Sequence, residues 1–183
     1  MDIFNKFILI LIVFSIFIYG CQKQVEDDGT VKAGDTVLVD YAGGYDNGTL
    51  FDTSILEAAE AAGILDPNRV YQPLRVVVGQ GQVINGFDEA LLGMREGDSK
   101  TVTIPPQNAY GLYDENAVRQ ISLEDFGDGA KDAEVGQRLV LNSPEGRSLV
   151  LIKEINEENI TVDFNHPLAG ETLTFAIILR DIQ

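Results

Sequence analysis

The stretch Gly79-Gln80-Gly81-Gln82-Val83-Ile84-Asn85-Gly86-Phe87, which leads on to Ala109-Tyr110-Gly111, decides the fold. Its glycines punctuate an apolar turn. Phe87, Ala90, Leu91 and Met94 then recur at i, i+3, i+4 and i+7, one face of a helix expected to end at Gly93 and Gly97. Thr101 to Ile104 reads as a strand stopped by Pro105-Pro106. A tyrosine between small residues closes the stretch. Nothing in it has the spacing of an acid–base pair or a metal site, so it points to a small apolar pocket. The pattern breaks off at Gly111, and a closing strand is expected only after His166.

Upstream, Asp35 to Tyr41 alternates, with Val37, Val39 and Tyr41 on one face of a strand. Asp46-Asn47-Gly48 marks a hairpin turn, because these residues tolerate positive φ, and Leu50-Phe51-Asp52 forms the returning strand. Residues 55–62 favour a short helix that stops at Gly63. After Pro73, Leu74 to Val78 is β-branched and strand-like. Beyond the break, Ser122-Leu123-Glu124-Asp125 has the form of a capped helical turn. Leu139-Val140-Leu141 and Leu149 to Ile152 flank Ser143-Pro144-Glu145-Gly146, a hairpin signature, and Ile160 to Phe164 adds a further strand. Residues 112–165 thus read as a small, mostly-β unit within an α+β chain. A unit of this size buries little core and is marginal by itself.

Composition excludes some partners. A 45% hydrophobic content is that of a globular chain. The net charge of −16, with its Lys and Arg residues scattered, excludes a nucleic-acid partner that binds through its phosphates. The single cysteine rules out an internal disulfide and stands in an informative place. Residues 7–20 form an apolar run of 14 behind Lys6, short of the roughly 20 that cross a bilayer. The run fits the apolar core of an export signal over residues 1–20. Ile18-Tyr19-Gly20-Cys21 resembles a lipobox, in which Cys21 is acylated and becomes the first residue. The alternative is an uncleaved amino-terminal anchor. Either way the chain is expected at the cell membrane, on its extracytoplasmic face, with residues 21–30 as a flexible linker.

Two motifs suggest chemistry that their context does not support. Gly79-Gln80-Gly81 hints at a dinucleotide loop, but the third glycine, Gly86, comes five residues later rather than three. Phe51-Asp52-Thr53-Ser54 is similar to the Asp-Thr-Gly/Ser of aspartic proteases, which need two carboxylates sharing a proton. One copy would serve only in a homodimer. With one histidine and one cysteine, nucleophilic triads and zinc sites are disfavoured, and no metal or cofactor is expected.

Tyr41, Phe51-Asp52, Val83-Ile84, Phe87, Tyr110 and Phe175 occur in the order and spacing of the pocket of FKBP-type peptidyl-prolyl isomerases, which the chain resembles from residue 31 to 183. Ala109-Tyr110-Gly111-Leu112-Tyr113-Asp114-Glu115-Asn116 and Asn165-His166-Pro167-Leu168-Ala169-Gly170 resemble the SlyD-like branch. The resemblance implies an antiparallel half-barrel sheet wrapped on a short helix, built from 31–111 and 166–183. It also implies a substrate-binding chaperone domain inserted over 112–165. Phe87 would then be the floor beneath a proline ring, with Tyr41, Phe51, Val83 and Phe175 as walls. The Ile84 N–H and the Tyr110 hydroxyl would bond substrate carbonyls, and Asp52, oriented by Tyr41, would sit beside the twisting amide. Leu74, Leu139, Leu141, Leu149 and Leu151 would contact the polypeptide. The implied partners are unfolded or partly folded polypeptides with Xaa-Pro bonds; a holdase that keeps the pocket without turnover is the alternative. Three departures stand out: Phe87 replaces the family's tryptophan, Leu74 replaces an aromatic, and the arginine that pairs with the pocket aspartate has no counterpart in the longer 55–72 segment.

Overall fold

The computed structural model describes residues 28–143 and 146–183. The apolar run at 7–20, Cys21 and the Pro144-Glu145 turn lie outside the described residues. Alternation builds the first strand, β1 (Thr36–Tyr45), whose Val37, Val39 and Tyr41 are buried. It runs past Tyr41 because Ala42, Gly43 and Gly44 pair on both sides. Strands β2 (Leu50–Thr53) and β3 (Leu74–Val77) share one edge of β1, β3 along residues 36–39 and β2 along residues 42–44. Helix α1 (Leu56–Ala62) ends at Gly63, whose φ of 70° suits the left-handed cap. Strand β4 (Ser99–Ile104) forms the opposite edge.

The closing strand expected after His166 runs from Leu173 to Ile182 and lies centrally, between β1 and β4. We number it β9. Leu173, Phe175, Ile177 and Leu179 alternate inward along it. The inner face of this antiparallel sheet covers helix α2 (Asn85–Leu91), which buries Phe87, Ala90 and Leu91. Approach is close: a Cβ added at Gly86 would lie 2.5 Å from Ile104 Cγ2, so only glycine lets the helix sit this near β4. The helix is shorter than its i, i+3, i+4, i+7 pattern suggests. Leu92 leaves the helical conformation and Gly93 takes φ 76°, yet Met94 stays 4% exposed because the turn returns it to the core. Residues 28–30 are also not the free linker that the sequence suggests. Thr30 bridges Arg95, Asp28 accepts the Thr30 N–H and hydroxyl, and buried Val31 donates to the Met94 carbonyl.

The region between the two halves of this sheet forms a second antiparallel sheet. Its order is β5 (Val118–Ser122), β8 (Asn159–Asp163), β7 (Gly146–Ile155), β6 (Arg138–Ser143). Val150, Ile152, Ile160 and Val162 form a core of their own, covered by Leu123 and Phe126 of helix α3 (Leu123–Phe126). Ser122 caps α3 by accepting the Asp125 N–H at 3.0 Å. Strand β5 is not legible in the sequence, since Arg119 and Gln120 are exposed and its two apolar residues, Val118 and Ile121, stand on opposite faces, with Ile121 alone packed on the second core.

Two segments join the sheets and are stapled together. Asp114 N–H donates to Asn165 Oδ1, and Asn165 Nδ2 donates to the Asp114 carbonyl and to Asp163 Oδ1. The Tyr113 hydroxyl donates to Asp163 Oδ2 at 2.7 Å. Desolvation pushes the Asp163 carboxyl upward, but the hydrogen bonds from Tyr113 and Asn165 outweigh it and hold its pKa below the usual value. A depressed folded-state pKa means that this contribution to stability is present above the ordinary aspartate pKa. It is lost as pH falls through the lower folded value.

The second core is small enough for one side chain to decide its fate. Ile160→Ala should cost about 2–5 kcal/mol, a large share of what a region this size can hold. Native-state hydrogen exchange should show β7 and β8 amides losing protection while β1 and β9 keep theirs. Equal loss in both sheets would show instead that they open as one cooperative unit.

Candidate active site

Strand register assembles the site. Gly43 lies opposite both Phe175 of β9 and Asp52 of β2, and a Cβ at Gly43 would fall 2.6 Å from Phe175 Cε1. The missing side chain makes room for the Phe175 ring, which meets Phe87 edge-on at 5.3 Å and Phe51 edge-on at 5.9 Å, and lies tilted against Tyr41 at 6.4 Å. Tyr41 in turn stands edge-on to Phe87 at 6.0 Å. Edge-to-face pairs of this kind add about 0.5–1.5 kcal/mol each beyond their burial. The four rings come from β1, β2, α2 and β9, so the cluster exists only when the sheet has closed. Phe87, 3% exposed, lies deepest. Val83 and Ile84 are half-buried against the same core.

Asp52 is neutralised from two sides. The Tyr41 hydroxyl donates to Oδ2 at 2.6 Å, and Arg69 Nη1 donates to Oδ1. Arg69 Nη2 also donates to the Tyr41 oxygen at 3.0 Å, which closes a triangle. Burial, then the hydrogen bond to Asp52, pushes the Tyr41 pKa up to about 12, so the phenol stays protonated. The expectation that the pocket aspartate lacks an arginine is therefore wrong. The long 55–72 segment supplies it. Asp66 accepts the Asn68 and Arg69 N–H groups, its own N–H donates to the Tyr71 hydroxyl, and the Arg69 guanidinium lies 5.3 Å over the Tyr71 ring. The one sequence signal is that Arg69 is the sole cation between Lys32 and Arg75.

The protease-like Asp-Thr-Ser has a different use. Buried Thr53 donates its hydroxyl to the Tyr41 carbonyl at 2.6 Å, and Ser54 accepts the Tyr41 N–H at 2.9 Å. Both brace β1. Asp52 faces a guanidinium and a phenol, not the second carboxylate that an aspartic protease requires.

The glycine-rich turn presents a backbone donor. Gln82 accepts the Val77 N–H and Asp88 accepts the Gly79 N–H, so both ends of the turn are held. Ile84 precedes α2 in an extended conformation; its carbonyl accepts from Phe87 and Asp88, and its N–H has no acceptor among the described residues. Tyr110 follows a short 3₁₀ turn at Pro106–Asn108 and is 38% exposed. Burial of its hydroxyl, then the Asp52 charge, raises its pKa. Its ring stacks on His166, with centroids 4.0 Å apart and planes 2° from parallel. No sequence pattern pairs these two residues, since the whole second sheet lies between them.

The five leucines assigned to polypeptide contact do not form one surface. Leu74 begins β3 and packs on the main core. Leu139 lies opposite Val150, so Leu139 and Leu141 turn inward to the second core. Val140 lies opposite Leu149, and Arg138 opposite Leu151, on the other face. That outer face is where Val140 and Leu149 are about half exposed, and Val140 is absent from the sequence assignment. Arg138, Leu149, Leu151 and Lys153 line a cleft of about 200 Å³ there, together with Tyr113 and His166. Among the described residues, no three His, Cys, Asp or Glu side chains are grouped to hold a metal ion.

Comparison with known proteins agrees with this geometry. A family model described as FKBP-type peptidyl-prolyl cis-trans isomerase matches residues 27–177. A short-type peptidyl-prolyl cis-trans isomerase of Methanocaldococcus jannaschii is 44% identical over 153 residues, covering 84% of this chain and 94% of that protein. The FKBP-type isomerase SlyD of Aeromonas hydrophila is 36% identical over 124 residues, 68% of this chain and 58% of its own length. SlyD of Treponema pallidum is 36% identical over 120 residues, 66% of this chain and 68% of its own. A match across this much of the sequence means that the chain belongs to the FKBP-type peptidyl-prolyl cis-trans isomerase family.

Proposed function

We propose that this prolyl isomerase seats the proline ring on Phe87, between Tyr41, Phe51, Val83 and Phe175, and catalyses by favouring the twisted amide. The observation that carries the reading is the neutralised Asp52, held by Tyr41 and Arg69 within an aromatic cluster. The reaction needs no nucleophile. The amide before proline is planar, with a rotation barrier of about 18–20 kcal/mol, so uncatalysed exchange takes roughly tens to hundreds of seconds. Twisting removes resonance and reduces charge separation, and an apolar site favours that state over the planar one. Ile84 N–H and the Tyr110 hydroxyl bond the substrate carbonyls, which orients the chain for rotation. Asp52, fixed by its two donors, lies beside the amide. Each tenfold acceleration takes about 1.4 kcal/mol from the barrier.

The second sheet acts as a chaperone surface for unfolded clients. Exposed Val140 and Leu149, with Leu151, favour capture on the outer face of β6 and β7, while Leu139 and Leu141 serve the core. Export to the extracytoplasmic face and acylation at Cys21 are supported by the apolar run 7–20 and the residues before the cysteine.

Three measurements test these assignments. Tyr110→Phe should lower kcat/KM on a short Xaa-Pro peptide about three- to tenfold, the equivalent of one hydrogen bond, with unchanged melting temperature. Undiminished activity would remove the hydroxyl from the mechanism. Replacing 112–165 by a short turn should reduce catalysis of proline-limited protein refolding at least about tenfold more than peptide catalysis, because only a long chain occupies both sheets. An equal loss on both substrates would leave the second sheet as scaffolding. Cys21→Ser should move the protein from the membrane to the soluble fraction, whereas continued retention would favour the uncleaved anchor.

A further inference from the structure

Tyr110 sits on a loop and is more than one-third exposed, yet the hydroxyl assigned to it must be held in one place to bond a substrate carbonyl. The backbone beneath it is tied down. Ala109 and Gly111 both donate to the Pro106 carbonyl, and the Gly111 carbonyl accepts the Gly170 N–H at 2.8 Å. These bonds fix the main chain but leave two side-chain torsions of the tyrosine free. The ring contact that restrains them is the His166 imidazole, face to face at 4.0 Å and 2°.

His166 is itself fixed. Its Nδ1 accepts the Leu168 N–H at 3.1 Å, and its carbonyl accepts the Ala169 N–H at 2.9 Å. Accepting at Nδ1 places the proton of the neutral ring on Nε2. A cationic ring would turn an Nδ1–H against the Leu168 donor. Burial, then the charge of Arg138, lowers the His166 pKa, so the ring beside Tyr110 is neutral at neutral pH. The stack therefore joins a ring anchored through its Nδ1 hydrogen bond to one whose hydroxyl has no such anchor among the described residues.

We propose that His166 is a positioning residue for catalysis: its hydrogen-bonded imidazole, stacked on Tyr110, holds the Tyr110 hydroxyl where the substrate carbonyl arrives. This role rests on the assignment of Tyr110 as a hydrogen-bond donor to substrate. His166 touches no reacting atom and acts through Tyr110 alone. A planar ring at position 166 supplies the contact and the Nδ1 bond to Leu168 sets its angle, so an aromatic replacement keeps part of the effect and an aliphatic one keeps none.

The full-length protein and a short Xaa-Pro peptide supply the test. His166→Ala should lower kcat/KM roughly three- to tenfold, the scale set by leaving one side chain free to move. His166→Phe, which keeps the ring but not the Nδ1 acceptor, should recover part of the loss and fall between His166→Ala and the parent. In a Tyr110→Phe background, His166→Ala should cause almost no further loss, because the hydroxyl it positions is gone. The Tyr110 ring protons should also move downfield in the NMR spectrum of His166→Ala as the stacked ring is lost. Should His166→Ala fail to fold, His166→Leu, which fills the volume without a planar ring, takes its place in every comparison. A His166→Ala enzyme as active as the parent, with Tyr110→Phe impaired, would overturn the role of His166 alone. The same fold-loss in both backgrounds, or a His166→Phe enzyme as impaired as His166→Ala, would make the effect structural and overturn it equally. Full activity of Tyr110→Phe would overturn both the role of Tyr110 and that of His166.

Discussion

The pairing of β1 with β9 is the constraint on which the rest of the molecule depends. The two strands come from opposite ends of the folded chain and run together from Val37–Ile182 to Tyr45–Leu173. This register sets Phe175 against Gly43, and the absent side chain at Gly43 lets the ring turn toward Phe87 and Phe51. A slip of one residue would send Leu173, Phe175, Ile177 and Leu179 to the outer face. The sheet core and the aromatic cluster would then be lost together. Stability and the site thus share one register, and neither can be changed without the other.

Electrostatics supply the second constraint. A carboxylate beside an apolar cluster is costly unless its charge is met, and Asp52 meets both a phenol and a guanidinium. The Arg69 loop is built around this need, since Asp66 and Tyr71 shape it and Tyr71 lies beneath the guanidinium. Both of its oxygens are already engaged, which suits a reaction that moves no proton. The partners of Tyr41 show the same economy of purpose: its backbone is braced by Thr53 and Ser54 while its hydroxyl orients Asp52.

The inserted sheet has its own core and meets the first sheet through two adjacent segments stapled by Tyr113, Asp114, Asp163 and Asn165. One of these segments carries His166 onto Tyr110, and the same histidine lines the cleft bounded by Arg138, Leu149 and Leu151. The place where the chain returns from the insert is therefore also where the candidate site is completed. That coincidence follows from topology, because the loop that bears Tyr110 is where the chain leaves the first sheet for the second.

The local sequence already contained the strands β1 to β4 and β6 to β8, a closing strand after His166 and the two short helices of the first half, whereas the grouping of Tyr41, Phe51, Phe87, Tyr110 and Phe175 was implied by the family resemblance and by no local pattern. Strand and helix periods are properties of the backbone over a few residues, so alternation and i, i+3, i+4 spacing reveal them without knowledge of the fold. Proximity across the chain has no such local signature. Arg69 reaches Asp52 from a loop with no periodic pattern, and His166 reaches Tyr110 only after the second sheet has folded between them. β5 is a strand because β8 pairs with it, and the four insert leucines divide between two faces because pairing register sets which way each points. Met94 is buried through a turn, not through the helix that its spacing implied. The chain alone thus specified which residues alternate and which cluster in type. Closure of the sheet through β9 decided which of them touch, because contacts between distant residues depend on register and loop geometry.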